Sequence, residues 1–310
     1  MPSQTAPNST QLIAATFTPM QPDGRLDLDR LPGMVDRLIG EGVTGLFACG
    51  GTGEGFSLTA AERKAVAEAH VRAAAGRVPV IVQVGHNSLF EAQDLAAHAA
   101  AIGADAIAAM APTYTKPNSL ETLIQCLKTI TAGAPALPFI YYHFPQKSGL
   151  TLDVAALLER AGDELPSLAG VKFTDAQLVD LQACREVRGG HYRIYFGWDE
   201  MLLNGLGAGA QGAIGSTYNF AAPLYRRLIS AFECGEYAAA LREQAQAARM
   251  VRVILAHGGL AAQKAVMTLI DSDCGPIRWP NASLSADAIQ RLGLALEAIG
   301  FFAWARGEAA

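Results

Sequence analysis

The sequence has few cysteines and histidines, and they form none of the common metal-binding or disulfide patterns. Its five cysteines are widely spaced over 310 residues, and no two of them make a Cys-x-x-Cys motif. An odd number of scattered cysteines is typical of reduced thiols in the cytosol. The six histidines contain no His-Glu-x-x-His motif, which is the commonest helical zinc signature. We therefore expect a cytoplasmic protein with no disulfide framework and no metal site.

The chain also lacks long apolar runs and basic clusters. A membrane span needs about 18 uninterrupted apolar residues, and the nearest candidate, the alanine-rich stretch 95–111, is interrupted by His98 and Asp105. The first ten residues are polar and do not resemble a signal peptide. Lysines and arginines form no stripe, and the formal net charge is −5. These features predict that neither a membrane nor a nucleic acid is a partner.

What the chain does contain is enough apolar sequence for a large core. It is 51% hydrophobic with a mean hydropathy of +0.20, which argues against disorder. Eight short apolar or β-branched runs alternate with longer helical patterns, as in parallel βα units. Eight such units close naturally into a (β/α)8 TIM barrel, although the pattern alone leaves an open, doubly wound sheet as an alternative. The predicted strands are 12–17, 44–50, 79–85, 105–112, 138–142, 168–173, 192–197 and 211–216.

Helical patterns lie between these strands and continue alone after Pro223. Thr59 and Glu62 have the spacing of a capping box at the start of one helix. We predict a barrel over residues 11–222, and a remainder, 223–310, that holds the last barrel helix and a C-terminal helical extension. The predicted helices are 28–41, 59–75, 89–102, 119–132, 151–162, 176–187, 223–234, 236–256, 260–271 and 284–305.

Lys172 lies one residue before the end of the apolar run 168–173, and burying an ammonium group is costly unless something is gained. In a desolvated site the pKa of a lysine falls, and its neutral amine can attack a ketone to form a Schiff base. Tyr142 ends the preceding strand, about 4.8 Å away in a barrel, where its phenol could transfer protons. The structural alternatives are a lysine that reaches solvent and a tyrosine that packs in the core.

Two loops at other strand ends carry polar groups. The stretch GGTGEG, residues 50–55, fits neither dinucleotide nor Walker signatures. Its backbone amides and the Thr52 hydroxyl suit a substrate carboxylate, whereas the alternative is a simple connecting turn. Asp199 and Glu200 in GWDE could accept hydrogen bonds from substrate hydroxyls, or they could only favour a helix N-terminus. Ser216 could donate a hydrogen bond to the same substrate.

Four motifs occur in a characteristic order: GGTGEGFSLTAAER, YYHFP, GVKFTD and GSTYN. With them the chain resembles the N-acetylneuraminate lyase and dihydrodipicolinate synthase superfamily of class I aldolases, over about residues 11–280. The resemblance implies a TIM barrel with C-terminal helices, a homotetramer, and a 2-keto acid substrate cleaved without a cofactor. It implies that Lys172 forms the Schiff base, that Tyr142 transfers protons, and that Thr52 with the loop amides binds the carboxylate.

Within the superfamily, GWDE followed by GAIGSTYN resembles the sialic acid branch, which implies cleavage of N-acetylneuraminate. By the same match Thr174 lies near the reacting carbons, and Tyr114 reaches across a dimer interface towards a neighbouring site. The residues that would bind the sugar chain are Gly197, Asp199, Glu200 and Ser216.

One departure from the family pattern keeps an alternative substrate open. Gly51 stands where the family usually has serine or threonine, which removes a hydroxyl from the carboxylate site. Another 2-keto-3-deoxy sugar acid is therefore an alternative substrate. The stretch QKSG, residues 146–149, lacks the arginine of dihydrodipicolinate synthases, which argues against that activity, although Lys147 is cationic. A catalytically inactive barrel that binds a keto acid is the non-enzymatic alternative.

Overall fold

A computed structural model describes residues 9–305. Eight parallel strands form one closed barrel in chain order, and the first strand pairs with both the second and the last. The predicted (β/α)8 barrel is confirmed, and the open doubly wound sheet is wrong. The strands are β1 Gln11–Ala15, β2 Gly45–Ala48, β3 Val80–Gln83, β4 Ala106–Ala109, β5 Phe139–His143, β6 Leu168–Phe173, β7 Arg193–Phe196 and β8 Gly212–Gly215.

Helices follow the strands and then continue as a C-terminal group. The capping box is present: the Thr59 hydroxyl accepts from the Glu62 amide, and the Glu62 carboxylate accepts from the Thr59 amide. The helices are α1 Leu31–Gly40, α2 Ala60–Ala74, α3 Leu89–Ala101, α4 Leu120–Thr131, α5 Pro145–Ser148, α6 Val154–Glu164, α7 Leu178–Glu186, α8 Leu202–Gly207, α9 Tyr218–Glu233, α10 Tyr237–Ala256, α11 Leu260–Leu269, α12 Ala286–Glu297 and α13 Phe301–Ala305.

Three details differ from the predicted helices. Helix α9 begins at Tyr218 and not at Pro223. Its first turn is separated from the rest of the helix by a break in the helical backbone at Ala221. The break lies close to Pro223, which has no backbone amide to donate. The predicted helix 284–305 is two helices, with Gly300 in the left-handed region between them. The short helices α5 and α8 were not predicted.

The division into a barrel over 11–222 and a C-terminal part stays a prediction. Residues 1–8, which belong to the polar stretch discussed above, and the last five residues of the predicted extension lie outside the described residues.

Alternation along the strands decides which side chains point into the barrel. Tyr142 packs in a cluster inside the barrel, while Tyr141 and Phe173 belong to the apolar layer between the strands and the helices. The Cα of Lys172 is in register with that of Tyr142. Because successive side chains on a strand alternate, Lys172 points inward with Tyr142, and His143 points outward against Phe173.

Candidate active site

A cavity of about 920 Å³ opens at the C-terminal ends of the barrel strands. Residues at the ends of the strands and in the loops that follow them form its floor and inner walls, and the turn between α10 and α11 contributes to its outer wall. Among the described residues that line it there is no aspartate or glutamate, whereas Lys147 and Lys172 are both present. The cavity is therefore suited to an anionic ligand.

Lys172 is the only lysine on a strand of the described barrel that faces this cavity, and it is 4% exposed. Its Nζ lies 4.4 Å from the centre of the Phe47 ring and 4.1 Å from the centre of the Tyr142 ring. Burial lowers the pKa of Lys172 to about 7, and the Asp199 carboxylate opposes this fall. A large fraction of the amine is therefore neutral, and nucleophilic, near pH 7.

Tyr142 is also buried, and its ring is held on two sides. It stacks on Phe144 with ring centres 5.9 Å apart and meets Phe47 edge-on at 5.8 Å. Burial raises the pKa of the Tyr142 phenol, and the Asp199 charge adds to the rise. The Thr174 side chain opposes it, although the Thr174 hydroxyl reaches no described partner with full hydrogen-bond geometry. The phenol is therefore protonated at neutral pH, and its oxygen lies beside a second hydroxyl.

The loop GGTGEG curls back on itself beside the cavity. Its turn is closed by hydrogen bonds from the Glu54 amide to the Gly51 carbonyl and from the Gly55 amide to the Gly50 carbonyl. A Cβ at Gly55 would lie 1.9 Å from the Cys49 carbonyl oxygen, so this fold of the loop requires glycine there.

Gly51 and Thr52 both line the cavity. Within residues 9–305 their backbone amides and the Thr52 hydroxyl make no hydrogen bond, so three donors are free to bind a ligand. A Cβ added to Gly51 would meet no atom within 4 Å. The glycine at this position is therefore not required by packing.

Asp199 lies beneath the cavity and not on its surface. It is 5% exposed, and its Oδ2 accepts hydrogen bonds from the amide and the hydroxyl of Thr217, at 2.8 and 2.7 Å. Its Oδ1 has no described partner and lies directly behind Gly215, where a Cβ would be 1.7 Å from it. Burial raises the pKa of Asp199, and the Thr217 donors oppose the rise.

Of the other residues predicted to bind a sugar chain, two line the cavity and one does not. Gly197 and Ser216 line the cavity, as does Thr174, whereas Glu200 does not. A Cβ at Gly197 would lie 2.0 Å from the Thr174 hydroxyl oxygen, so this strand end requires glycine. Burial raises the pKa of Glu200.

Tyr114 follows β4 and lies at the surface. Its side chain is 90% exposed, and its backbone amide donates to Asn87 Oδ1 at 3.1 Å. It does not line the cavity of its own chain. Its predicted place at a dimer interface stays a prediction.

Several residues that line the cavity or pack against Lys172 and Tyr142 are not indicated by the sequence analysis. Phe47 could have been found from alternation along its strand, since it points inward like Tyr142. The sequence analysis gives Lys147 no role beyond its charge, and it assigns no role in the cavity to the lining residues Leu260 and Gln263 on α11. No sequence signal relates α11 to the barrel mouth, because the contact is long-range.

Within residues 9–305, no group of three histidine, cysteine, aspartate or glutamate side chains lies close enough together to hold a metal ion. None of the described helices is both long and apolar enough to cross a membrane.

Comparison with known proteins identifies the family. Residues 8–299 match the Dihydrodipicolinate synthetase family, a longer stretch than the predicted 11–280. The chain belongs to this family. The resemblance inferred from the four motifs is thereby confirmed.

Within the family, the chain is similar to N-acetylneuraminate lyases over almost its whole length. It is 39% identical to the N-acetylneuraminate lyase of Pongo abelii, covering 94% of this chain and 93% of that one. It is also 39% identical to the lyase of Gallus gallus, covering 96% and 97%. The structure of Proteus mirabilis N-acetylneuraminate lyase superposes with a TM-score of 0.91 at 36% identity, covering 95% and 99%.

Proposed function

We propose that this family member is a carbon–carbon lyase, a class I aldolase that cleaves N-acetylneuraminate into N-acetylmannosamine and pyruvate. The observation that carries the proposal is the buried Lys172 amine, with its pKa near 7, at the floor of a cavity lined by no carboxylate. Similarity to vertebrate and bacterial N-acetylneuraminate lyases favours this substrate over other keto acids.

The substrate carboxylate would bind at the loop of residues 50–55. The free amides of Gly51 and Thr52 and the Thr52 hydroxyl offer three donors to it. Donors aimed at a carboxylate in a partly desolvated site bind it more strongly than water-exposed donors do. With the carboxylate bound there, the adjacent keto carbon would lie next to the lysine.

The neutral amine of Lys172 would then attack C2 of the keto acid, and loss of water would leave an iminium. The electrons of the C3–C4 bond flow into this iminium and give an enamine, while the C4 hydroxyl becomes the aldehyde of N-acetylmannosamine. Protonation of the enamine at C3 and hydrolysis of the imine release pyruvate and regenerate the lysine. The chemistry needs no cofactor, because the lysine itself supplies the electron sink.

Tyr142 would carry the proton that leaves the C4 hydroxyl. Because burial raises the pKa of its phenol, Tyr142 keeps its own proton and is a weak base. We propose that it acts as a relay, accepting the C4 proton on its oxygen as it passes its own proton to the substrate carboxylate. The Thr174 hydroxyl, which has no described partner, is near enough to hold the phenol oxygen in place.

The rest of the sugar would extend along the wall formed by Gly197 and Ser216. Asp199 and Glu200, which do not line the cavity in this structure, would become accessible on substrate binding and accept hydrogen bonds from the sugar hydroxyls. The unpartnered Asp199 Oδ1, just behind Gly215, supports this assignment. We further propose a cytoplasmic homotetramer in which the exposed Tyr114 reaches a neighbour's cavity.

Another 2-keto-3-deoxy sugar acid is the second candidate substrate. The observation that favours it is Gly51, which leaves the carboxylate site without the hydroxyl that the family usually has. The same lysine chemistry would apply, so the two candidates differ only in the sugar chain.

The deciding experiment is borohydride trapping with intact mass and peptide mapping. Protein incubated with N-acetylneuraminate is expected to gain a reduced pyruvate adduct on Lys172, which requires both imine formation and cleavage. The initial trapping rate with pyruvate should rise with pH through about 7, because only the neutral amine attacks. Below that pH it should fall about tenfold per pH unit.

Other outcomes are equally informative. An adduct of the whole sugar acid would mean binding without cleavage. An adduct from pyruvate but none from N-acetylneuraminate would retain the aldolase chemistry and reject the substrate. No adduct from either compound would reject the Schiff-base mechanism and favour an inactive barrel.

Gly51→Ser is expected to increase kcat/KM for N-acetylneuraminate by about twofold to tenfold, the usual range for one added hydrogen bond. The space around Gly51 is open, so the serine fits and its hydroxyl joins the carboxylate donors. Steady-state kinetics would measure the change.

Gly51→Ala is the matched control, since it adds the same Cβ without the hydroxyl. Equal kinetics for the serine and alanine variants would show that the missing hydroxyl does not limit this protein.

A further inference from the structure

A buried ion pair reaches the carboxylate loop from the C-terminal helices. Lys264 Nζ, on α11, donates to Glu54 Oε1 at 2.7 Å and to the Thr18 carbonyl at 3.0 Å. The two charged side chains are 2% and 1% exposed. Burying two charges costs desolvation that their attraction only partly offsets. Stability alone is therefore a poor reason for such a pair to lie here.

The second carboxylate oxygen of Glu54 also forms a hydrogen bond with the C-terminal part of the chain. It accepts a hydrogen bond from the Arg278 amide at 2.7 Å. The Arg278 guanidinium in turn binds both oxygens of Glu62, in the first turn of α2, at 2.8 and 2.6 Å. The C-terminal part thus holds the loop and the start of the helix that follows it.

Glu54 closes the turn of the carboxylate loop, so contacts that hold its side chain also hold the turn. Its φ of 56° and ψ of 28° are left-handed, which is unfavourable for a residue with a side chain. Its amide closes the turn by donating to the Gly51 carbonyl at 3.1 Å. Fixing the Glu54 side chain therefore fixes the turn that presents the amides of Gly51 and Thr52 to the cavity.

Lys264 also contacts the loop indirectly, through Thr18. The Thr18 residue whose carbonyl it binds donates its own hydroxyl to the Gly53 carbonyl at 2.7 Å. Lys264 thus reaches the loop at two adjacent residues, Glu54 directly and Gly53 through Thr18, although it does not itself line the cavity.

We propose that Lys264 is a positioning residue for the substrate carboxylate, acting through Glu54 on the amides of Gly51 and Thr52. The inference rests on the proposed function, because it assumes that this loop binds the carboxylate. Without the ion pair, the three donors lose their common orientation. Substrate affinity then falls more than the rate of cleavage of bound substrate.

The main test is the double variant Glu54→Gln/Lys264→Met, which removes both charges so that neither is left buried alone. We expect KM for N-acetylneuraminate, and the pyruvate concentration that gives half-maximal borohydride trapping, to rise about tenfold to a hundredfold, the range for losing charged hydrogen bonds. In the same variant kcat should fall less than about threefold.

A second variant, Thr18→Val, removes only the hydroxyl that binds Gly53. It keeps the Thr18 carbonyl for Lys264, and it should raise KM by about threefold to tenfold. Because valine is close to threonine in shape, this variant tests the loop even if the double variant does not fold.

The matched control is Arg227→Met/Glu243→Gln. This pair joins α9 and α10 at 3.1 Å, and neither residue lines the cavity. It should lower thermal stability without changing KM. An unchanged KM in both folded loop variants would overturn the positioning role while leaving the lyase assignment intact. A wild-type protein that traps no pyruvate would overturn both.

Discussion

Lys172→Met is expected to abolish the pyruvate adduct and to lower lyase activity by about four orders of magnitude or more, as loss of a covalent nucleophile does. Methionine keeps the length and apolar stem of lysine, so the contacts with Phe47 and Tyr142 are largely preserved. The loss would then report the amine and not a collapsed site. Borohydride trapping and steady-state lyase assays measure the two effects.

The same variant should be more stable than the wild type at neutral pH. The folded state holds the pKa of Lys172 at about 7, against an ordinary value of 10.5. The unfolded chain therefore binds more protons between these values, and stability rises with pH across that range. The cost of burying Lys172 is full below pH 7 and disappears towards pH 10.5. Its upper limit is about 4 to 5 kcal/mol, at about 1.36 kcal/mol per pKa unit.

Lys264→Met is the matched comparison, because Lys172 and Lys264 are both lysines with 4% and 3% exposure. Lys264 is paired with Glu54, so removing it leaves an unpaired buried carboxylate and should lower stability. Thermal unfolding followed at several pH values should thus move in opposite directions for the two variants. If Lys172→Met were also destabilising at pH 7, the amine would not be desolvated as described.

The two lysines also differ in how well the sequence predicts their surroundings. Period-two alternation and strand order are local signals, and they were sufficient to predict that Lys172 and Tyr142 meet inside a barrel. The partner of Lys264 lies 210 residues away, and no local pattern indicates that contact. The motif GWDE predicts Asp199 on the loop after β7, but its position behind Gly215 depends on the packing of β8, which a loop motif does not encode.

The predicted start of helix α9 differs from the observed one for a similar reason. The strand pattern stops at Pro223, and the sequence therefore predicts a helix over 223–234. The backbone instead forms a turn from Tyr218, breaks at Ala221, and continues as a helix past the proline. The early turn contains Asn219, whose side chain binds the Ala15 carbonyl of β1. Tertiary contact with the barrel, and not local preference, sets this boundary.

Tyr142→Phe is expected to lower kcat by about a hundredfold to ten-thousandfold, the contribution typical of positioned proton transfer. Phenylalanine keeps the stacking on Phe144 and the edge contact with Phe47, so the fold and the lysine pocket should persist. Tyr141→Phe is the matched control. Tyr141 is equally buried at the neighbouring position, but it belongs to the outer apolar layer. Loss of its hydroxyl should therefore leave kcat within about twofold of the wild-type value.

Trapping distinguishes a proton relay from a packing role in this variant. If Tyr142 carries the C4 proton, cleavage slows more than imine formation, and borohydride should then capture the whole sugar acid on Lys172 in place of pyruvate. A variant that is slow but still yields only the pyruvate adduct would place the role of the phenol after cleavage, in hydrolysis of the imine. Unchanged kcat would remove Tyr142 from the mechanism and leave Thr174, the other hydroxyl beside the lysine, as the candidate relay.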